Sequence, residues 1–408
     1  MNAKTVLGVT FLLLALAAMV VGLFVDDERM EQRAVGWKQK NLTNVLETIS
    51  TDSISSTIRT LTQHRTRRFT SPGAAAAVQF VTAKLRGFGL PVEHHYVNVR
   101  DRDDNAVVVT NVLCELGPSD PDRGTLIMCA HYDSRVEDRL ESAPGADDNA
   151  SGVAVLLETA RVLVSAGIEP GVTLVFFGGE EDDLIGSRAY ARSVLDEHQP
   201  LRGVINVDMV GYDEHGPHDI VIFTNPSSVP LALDVARVAE SFANLKADTT
   251  ITNWGNSDHA SFWEYGQQAI SIWEGYDHNP YHYTAEDKLE TISLRFLSKI
   301  TRLVVAASVW LADTPRNPTG GKTEYGAARA KGLTVRYIGD EFVDDLPQID
   351  GNVLIVTREG RVVARLSASR GKLARRDVRT YLGDSPGVYL VSRVSVEGAI
   401  PTEAIEIK

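Results

Sequence analysis

Two hydrophobic rhythms divide the chain. Within the stretch 30–70, otherwise polar, Ile54, Ile58 and Leu61 recur at helical spacing and predict helix. A second helix is predicted from Ser71-Pro72, carrying Ala74, Ala77, Phe80, Val81 and Leu85, and ending at Gly87 and Gly89. From there apolar runs and amphipathic stretches alternate. Val107–Leu116, Thr125–Cys129, Val172–Phe177, Gly203–Met209, Asp219–Phe223 and Ala269–Trp273 read as strands. The unbroken apolar run Val172–Phe177 suits a strand covered on both faces. Val153–Val164, Leu231–Phe242 and Leu294–Leu311 read as helices. Such alternation predicts an α/β fold: a mixed, largely parallel central sheet flanked by helices.

The rhythm changes after Asp313. Residues 314–330, with Pro315, Pro318, Gly320 and Gly321, read as a linker. Residues 331–408 then read as a small all-β sandwich of short strands, including a hairpin over Val353–Val356 and Val362–Leu366. The division expected for the chain is therefore 1–25, 26–49 (an N-terminal helical segment), 50–313 (the α/β domain), 314–330 and 331–408.

The N-terminus changes the picture of where the protein works. Lys4 precedes an uncharged stretch, Thr5–Val25, which ends at Asp26-Asp27-Glu28. About 20 apolar residues cross a bilayer as a helix. Basic residues before the span and acidic ones after it keep the N-terminus in the cytoplasm. The alternative is a cleaved signal peptide, with Ala15-Leu16-Ala17 as a small-x-small site. Both readings export the bulk of the chain, one of them with a membrane anchor.

Composition removes several function classes. A formal charge of −13 and the absence of a dense basic run argue against a nucleic-acid partner. The short cluster Arg65, Arg67, Arg68 reads as a solvated face. Two cysteines, Cys114 and Cys129, exclude a disulfide scaffold and a thiolate zinc cluster. They read as buried thiols, with one disulfide between neighbouring strands as the alternative.

What remains is a series of polar clusters at predicted strand ends, where open α/β sheets hold their ligands. His131 follows the strand Thr125–Cys129 and offers an imidazole nitrogen; Asp133, two residues on, is placed to orient that ring. Asp147-Asp148-Asn149 precedes a helix, where helix capping explains one acidic side chain but not the whole run. Glu180-Glu181 ends a buried strand, where two carboxylates repel and lose hydration unless a cation or a proton compensates. One of the pair can hold a metal while the other takes a proton from water. Asp208 closes another apolar strand, and 277–287 is rich in histidine, with His278 and His282. Two histidines and three carboxylates suit a pair of hard-to-borderline cations, zinc foremost.

These segments, together with Ser257-Asp258-His259-Ala260-Ser261-Phe262, make residues 50–312 resemble the di-zinc aminopeptidases related to bacterial leucyl aminopeptidase, a group that includes glutamate carboxypeptidases and glutaminyl cyclases. The resemblance implies a zinc-exopeptidase fold, peptide substrates and two zinc ions per chain. It implies that His131 and Asp208 hold one zinc, that Glu181 and His282 hold the other, and that Asp147 bridges them. Glu180 becomes the general base and acid, Asp133 the group that orients His131, and Asp148 a residue that shapes the turn. One departure stands out: the family places its last histidine directly before a threonine, whereas this chain reads His282-Tyr283-Thr284. Tyr283 therefore occupies the aligned position; His282 is retained as the ligand, with His278 as the fallback. His259 reads as the maker of a structural hydrogen bond, with a substrate contact as the alternative; Trp254, Trp263 and Tyr265, near that segment, read as core packing, with the lining of an apolar pocket as the alternative. The final stretch from Pro386 loosely resembles the β-sandwich modules that end secreted bacterial enzymes. The rival readings are carboxypeptidase or cyclase action on the same scaffold, and a non-catalytic receptor that keeps the fold. Oligomeric state is not legible.

Overall fold

The computed structural model describes residues 41–118, 124–135, 142–213, 219–252, 255–275 and 279–313, together with strands at 334–337, 351–357, 362–368, 387–395, 398–399 and 403–407. The stretch Thr5–Val25, the expected linker 314–330, His278 and Trp254 lie outside these residues. Two compact units divide the chain between Thr48 and Ile49. Of the first, residues 41–48 are described, with helical turns over 41–46.

The second unit begins with helix α1, Thr51–Leu61. The Ser50 side chain caps it by accepting from the Ser53 amide, and Ile54, Ile58 and Leu61 form its buried stripe. Helix α2, Pro72–Gly87, starts at Ser71, whose side chain accepts from the Ala74 amide. Of the helix expected across 30–70, the described residues hold the helical turns at 41–46 and α1; after α1 the chain turns to bury Arg67, and α2 takes its own cap at Ser71.

The central sheet contains β1 (Glu93–Arg100), β2 (Ala106–Leu116), β3 (Thr125–His131), β4 (Val172–Phe177), β5 (Leu201–Val207), β6 (Ile220–Thr224), β7 (Ala247–Ile251) and β8 (Ala269–Glu274). Their order is β1-β2-β4-β3-β5-β8-β6-β7, and β9 (Thr334–Tyr337) pairs with β7 in parallel. The inner strands β4, β3, β5 and β8 run parallel, while β1–β2, β2–β4 and β6–β8 are antiparallel. This is the mixed, largely parallel sheet that the pattern predicts. Helices α3 (Gly152–Ser165), α4 (Ile185–Asp196), α5 (Val229–Val238), α6 (His259–Trp263) and α7 (Leu294–Asp313) accompany it.

Strand β4 is buried at all six positions and α3 at most of its fourteen, which explains their unbroken apolar runs. Strands β1 and β7 and helix α4 carry no comparable signal. The edge strand β1, for instance, alternates exposed and half-buried residues without a fully buried one. Both cysteines are buried free thiols. Beyond the central sheet, β10 (Gly351–Thr357), β11 (Val362–Ala368), β12 (Gly387–Ser395), β13 (Gly398–Ala399) and β14 (Glu403–Ile407) form a five-stranded antiparallel sheet.

The register of the inner strands positions the site. His131 at the end of β3 is level with Phe177 at the end of β4, and Glu180 and Glu181 follow three and four residues later. Cys129 pairs with Asn206 on the other side, so Asp208 emerges level with His131. Three neighbouring parallel strands therefore deliver imidazole and carboxylate groups to one end of the sheet.

Candidate metal centre

His131 is the hub. Its Nε2 lies 3.2 Å from Asp208 Oδ1, 3.2 Å from Asp148 Oδ1 and 3.9 Å from Glu180 Oε2. The other oxygen of Asp148 is 3.1 Å from His282 Nε2. One carboxylate thus spans two imidazoles. His131, Asp148 and Asp208 bring one ligand atom each to within 4.8 Å of one another.

Asp147 is the residue expected to bridge two ions; in the structure it is Asp148 whose carboxylate lies between His131 and His282. Asp147 is turned away: its Oδ1 accepts from the Gly211 amide at 2.7 Å and its Oδ2 from Asn279 Nδ2 at 2.6 Å. Asp287 fixes the turn from beneath, accepting from the amides of Asp147 at 2.8 Å and Asp148 at 3.1 Å. Asn149 completes it, donating to the Val207 carbonyl at 2.9 Å and accepting from the Gly152 amide at 2.9 Å. Gly145 enters this turn at φ +55°; a side chain there would meet the Asp148 carbonyl and Ser134.

Asp133 joins the strand ends. Its Oδ1 lies 3.6 Å from His131 Nδ1, longer than a hydrogen bond, and its two oxygens accept from the amides of Glu180 and Glu181 at 3.2 Å each. Behind Asp208, the Ser257 hydroxyl donates to Oδ2 at 2.6 Å and receives from Asn206 Nδ2 at 2.7 Å. Asp133, Asn149, Asn279 and Asp287 lie within segments that residue chemistry singled out, and Ser257 within one quoted for the family resemblance; Gly211 carried no such signal.

Arg67 is fully buried, against its reading as part of a solvated face. Its guanidinium donates to the carbonyls of Tyr132 at 2.7 Å and Gly145 at 2.8 Å, and also to Pro144. It ties the loop after His131 to the loop before Asp148. Burial lowers its pKa to about 10, opposed by Asp287 and Asp133. His259 also departs from expectation. Neither ring nitrogen has a hydrogen-bond partner; the ring meets Trp263 edge-on at 4.5 Å, and burial pulls its pKa down to about 3. Trp263 and Tyr265 pack against the core cluster around Phe177, Tyr190 and Phe262 and do not line the cavity.

The electrostatics are those of an acidic pocket. Burial opposes a charge on His131, but Glu180 and Asp208 outweigh it and raise its pKa well above 6.5. His282 is raised in the same way by Asp148. Burial, then the neighbouring carboxylates, lift Glu180 and Glu181 well above the usual range. Burial works against ionised Asp148 too, yet its bonds to both histidines hold it below the usual range.

A metal fits this donor set. Both oxygens of Glu181 are buried without a hydrogen-bond partner, a costly arrangement for a carboxylate lacking a cation. Zinc about 2.0–2.1 Å from tetrahedral donors separates them by roughly 3.3 Å, matching the 3.2 Å spacings around His131 Nε2. A cavity of about 430 Å³ opens onto the centre, lined by the apolar residues Met209, Val221, Phe223 and Trp273 as well as by Glu180.

Residues 111–308 match the model of Peptidase family M28. A probable zinc metalloprotease of Pyrenophora teres f. teres is 37% identical over 211 residues, 45% of each chain. The aminopeptidase YwaD of Bacillus subtilis is 34% identical over 184 residues, 44% of this chain and 39% of that one. This chain therefore spans less than half the length of these relatives. Among solved structures, the LapA aminopeptidase of Legionella pneumophila superposes with a TM-score of 0.59 at 23% identity, covering 68% of this chain and 76% of that one. A glutaminyl cyclase of Bacteroides thetaiotaomicron gives 0.53 at 21% identity, covering 64% and 98%. These two likenesses establish the shared zinc-exopeptidase fold.

Proposed function

We propose that this protein is an exported aminopeptidase that holds two zinc ions and removes the first residue of peptides. The observation that carries the reading is the Asp148 carboxylate spanning His131 and His282, with Glu180 3.9 Å from His131. His131, Asp208 and one oxygen of Asp148 would hold the first ion; His282, Glu181 and the other oxygen would hold the second. Bound zinc supplies Lewis acidity, lowering the pKa of water and polarising the scissile carbonyl.

The chain's own groups do the rest. Glu180, whose proton affinity is raised by burial, accepts the proton of the attacking water and returns it to the departing amine. The surrounding carboxylates attract the free α-ammonium group of the substrate, which restricts cleavage to the chain end. Met209, Val221, Phe223 and Trp273 offer the first side chain an apolar surface. Export rests on Thr5–Val25 alone; among the described residues no helix is long and apolar enough to cross a membrane.

Glu180→Gln is the direct test. It keeps the size of the side chain and removes its basicity. The expected result is retained zinc with turnover lowered at least about 10²–10⁴-fold, the range of general acid–base catalysis. A fully active Glu180→Gln enzyme sinks the assignment. Cyclisation of N-terminal glutamine is the second reading, favoured by the fold shared with glutaminyl cyclases. It requires no attacking water and one zinc. Metal counting, beside a panel of aminoacyl chromogenic substrates with and without chelator, separates the two.

A further inference from the structure

Tyr283 has no part in the site described so far, yet its position is unusual. It follows His282 directly, and both side chains line the same cavity. Consecutive residues ordinarily point apart. Here the backbone at Tyr283 takes φ +58°, the left-handed region that a bulky residue rarely enters. The phenol ring then lies against the His282 ring, centroids 3.9 Å apart at 33°. The Arg135 guanidinium also stands 5.6 Å from the ring centroid and donates to the Glu181 carbonyl at 3.3 Å. The ring therefore has two neighbours, His282 and Arg135.

Arg135 thus connects the ring to the Glu181 backbone, and Glu181, after burial, is the strongest of the charges that raise the pKa of the Tyr283 hydroxyl. Glu181 is the buried carboxylate whose two oxygens have no partner within hydrogen-bond distance. We propose that Tyr283 is a positioning residue: its hydroxyl donates to Glu181 and fixes that carboxylate toward His282, where the second ion is held. The chemistry is that of the outer groups around metal ligands generally. A ligating carboxylate keeps one oxygen for the ion and gives the other to a donor, which sets its orientation. The backbone cost at Tyr283 is consistent with a side chain held in place by its function. The inference rests on the two-ion reading proposed above, and concerns only the second position.

Tyr283→Phe isolates the hydroxyl. It leaves the ring, its contact with His282 and the Arg135 contact in place, so the fold has no reason to change. Zinc is titrated into the metal-free full-length protein by calorimetry, with metal content counted independently. The expected outcome is two zinc sites, with the weaker affinity lowered about 10–100-fold in Tyr283→Phe, as for the loss of a partner of a ligand, and the tighter one unchanged. Tyr283→Leu, which also removes the ring, should lower the weaker affinity at least as far. Two sites with unchanged affinities in Tyr283→Phe overturn the inference while leaving the aminopeptidase reading intact. A single zinc in the wild-type protein overturns both this inference and the two-ion reading.

Discussion

The two histidines of the centre are held in opposite ways. His131 stands at the end of a strand in the middle of the sheet, with a side chain only 1% exposed. His282 sits in the turn after Asn279, with a side chain 27% exposed. Each meets an oxygen of Asp148 at nearly the same distance, 3.2 and 3.1 Å. A strand fixes its ligand by register, because a slip of one residue turns every side chain to the other face. A turn has no such lock and can present either of two neighbours. The difference shows in the sequence, where the family's last histidine is displaced by one position and Tyr283 stands in its place.

The largest effect should come from the group common to both sides. Asp148→Asn removes the charge between the histidines, and we expect zinc content to fall toward zero by metal analysis. Retention of both ions would dissolve the comparison. Next come the histidines themselves. His131→Ala should weaken the tighter zinc site by more than about 100-fold, since changes to outer partners alone cost 10–100-fold. It should also disturb the weaker site through Asp148. His282→Ala should weaken only the second site. Equal losses at both sites from either substitution would show that the strand side holds no advantage.

Asp147→Asn should have a smaller effect, about 10–100-fold on zinc affinity, because both Asp147 oxygens are engaged by Asn279 and Gly211 and the proposed reading gives it no ion to hold. The smallest effect expected is on proton exchange. In the ion-free protein Glu180 and Asp208 raise the pKa of His131 against the effect of burial, and a protonated imidazole must lose its proton to bind a metal. Zinc affinity should therefore rise with pH until that raised pKa is passed. In the ion-free protein, the stability this charge contributes is present in full below about pH 6.5 and is lost as pH rises through the folded value. Calorimetry in buffers of different ionisation enthalpy measures the protons released, and His131→Ala should release fewer.

The strand side of the centre was the legible part. His131, Glu180, Glu181 and Asp208 each follow an apolar run, and the sheet places runs of that kind side by side. The mixed, largely parallel sheet was readable for the same reason. Asp147 and Asp148 were not separable. Two adjacent carboxylates in an irregular turn carry the same chemistry, and the choice between them is made by Gly211, Asn279 and Asp287, remote in sequence. Arg67 was misread because its partners are backbone carbonyls, which leave no mark on composition. Trp263 and Tyr265 adjoin a landmark segment, but sequence nearness did not say which way they face.

Asp133 carries a consequence for anyone who would rebuild this centre elsewhere. By accepting the amides of Glu180 and Glu181 together, it fixes the peptide plane between them. In the proposed reading the two glutamates have different tasks, and these bonds keep them from trading places by a backbone flip. A graft of the glutamate pair onto another scaffold would inherit two acidic side chains without a division of labour. The smallest transferable unit is a trio, with its third member 47 positions upstream of the first glutamate.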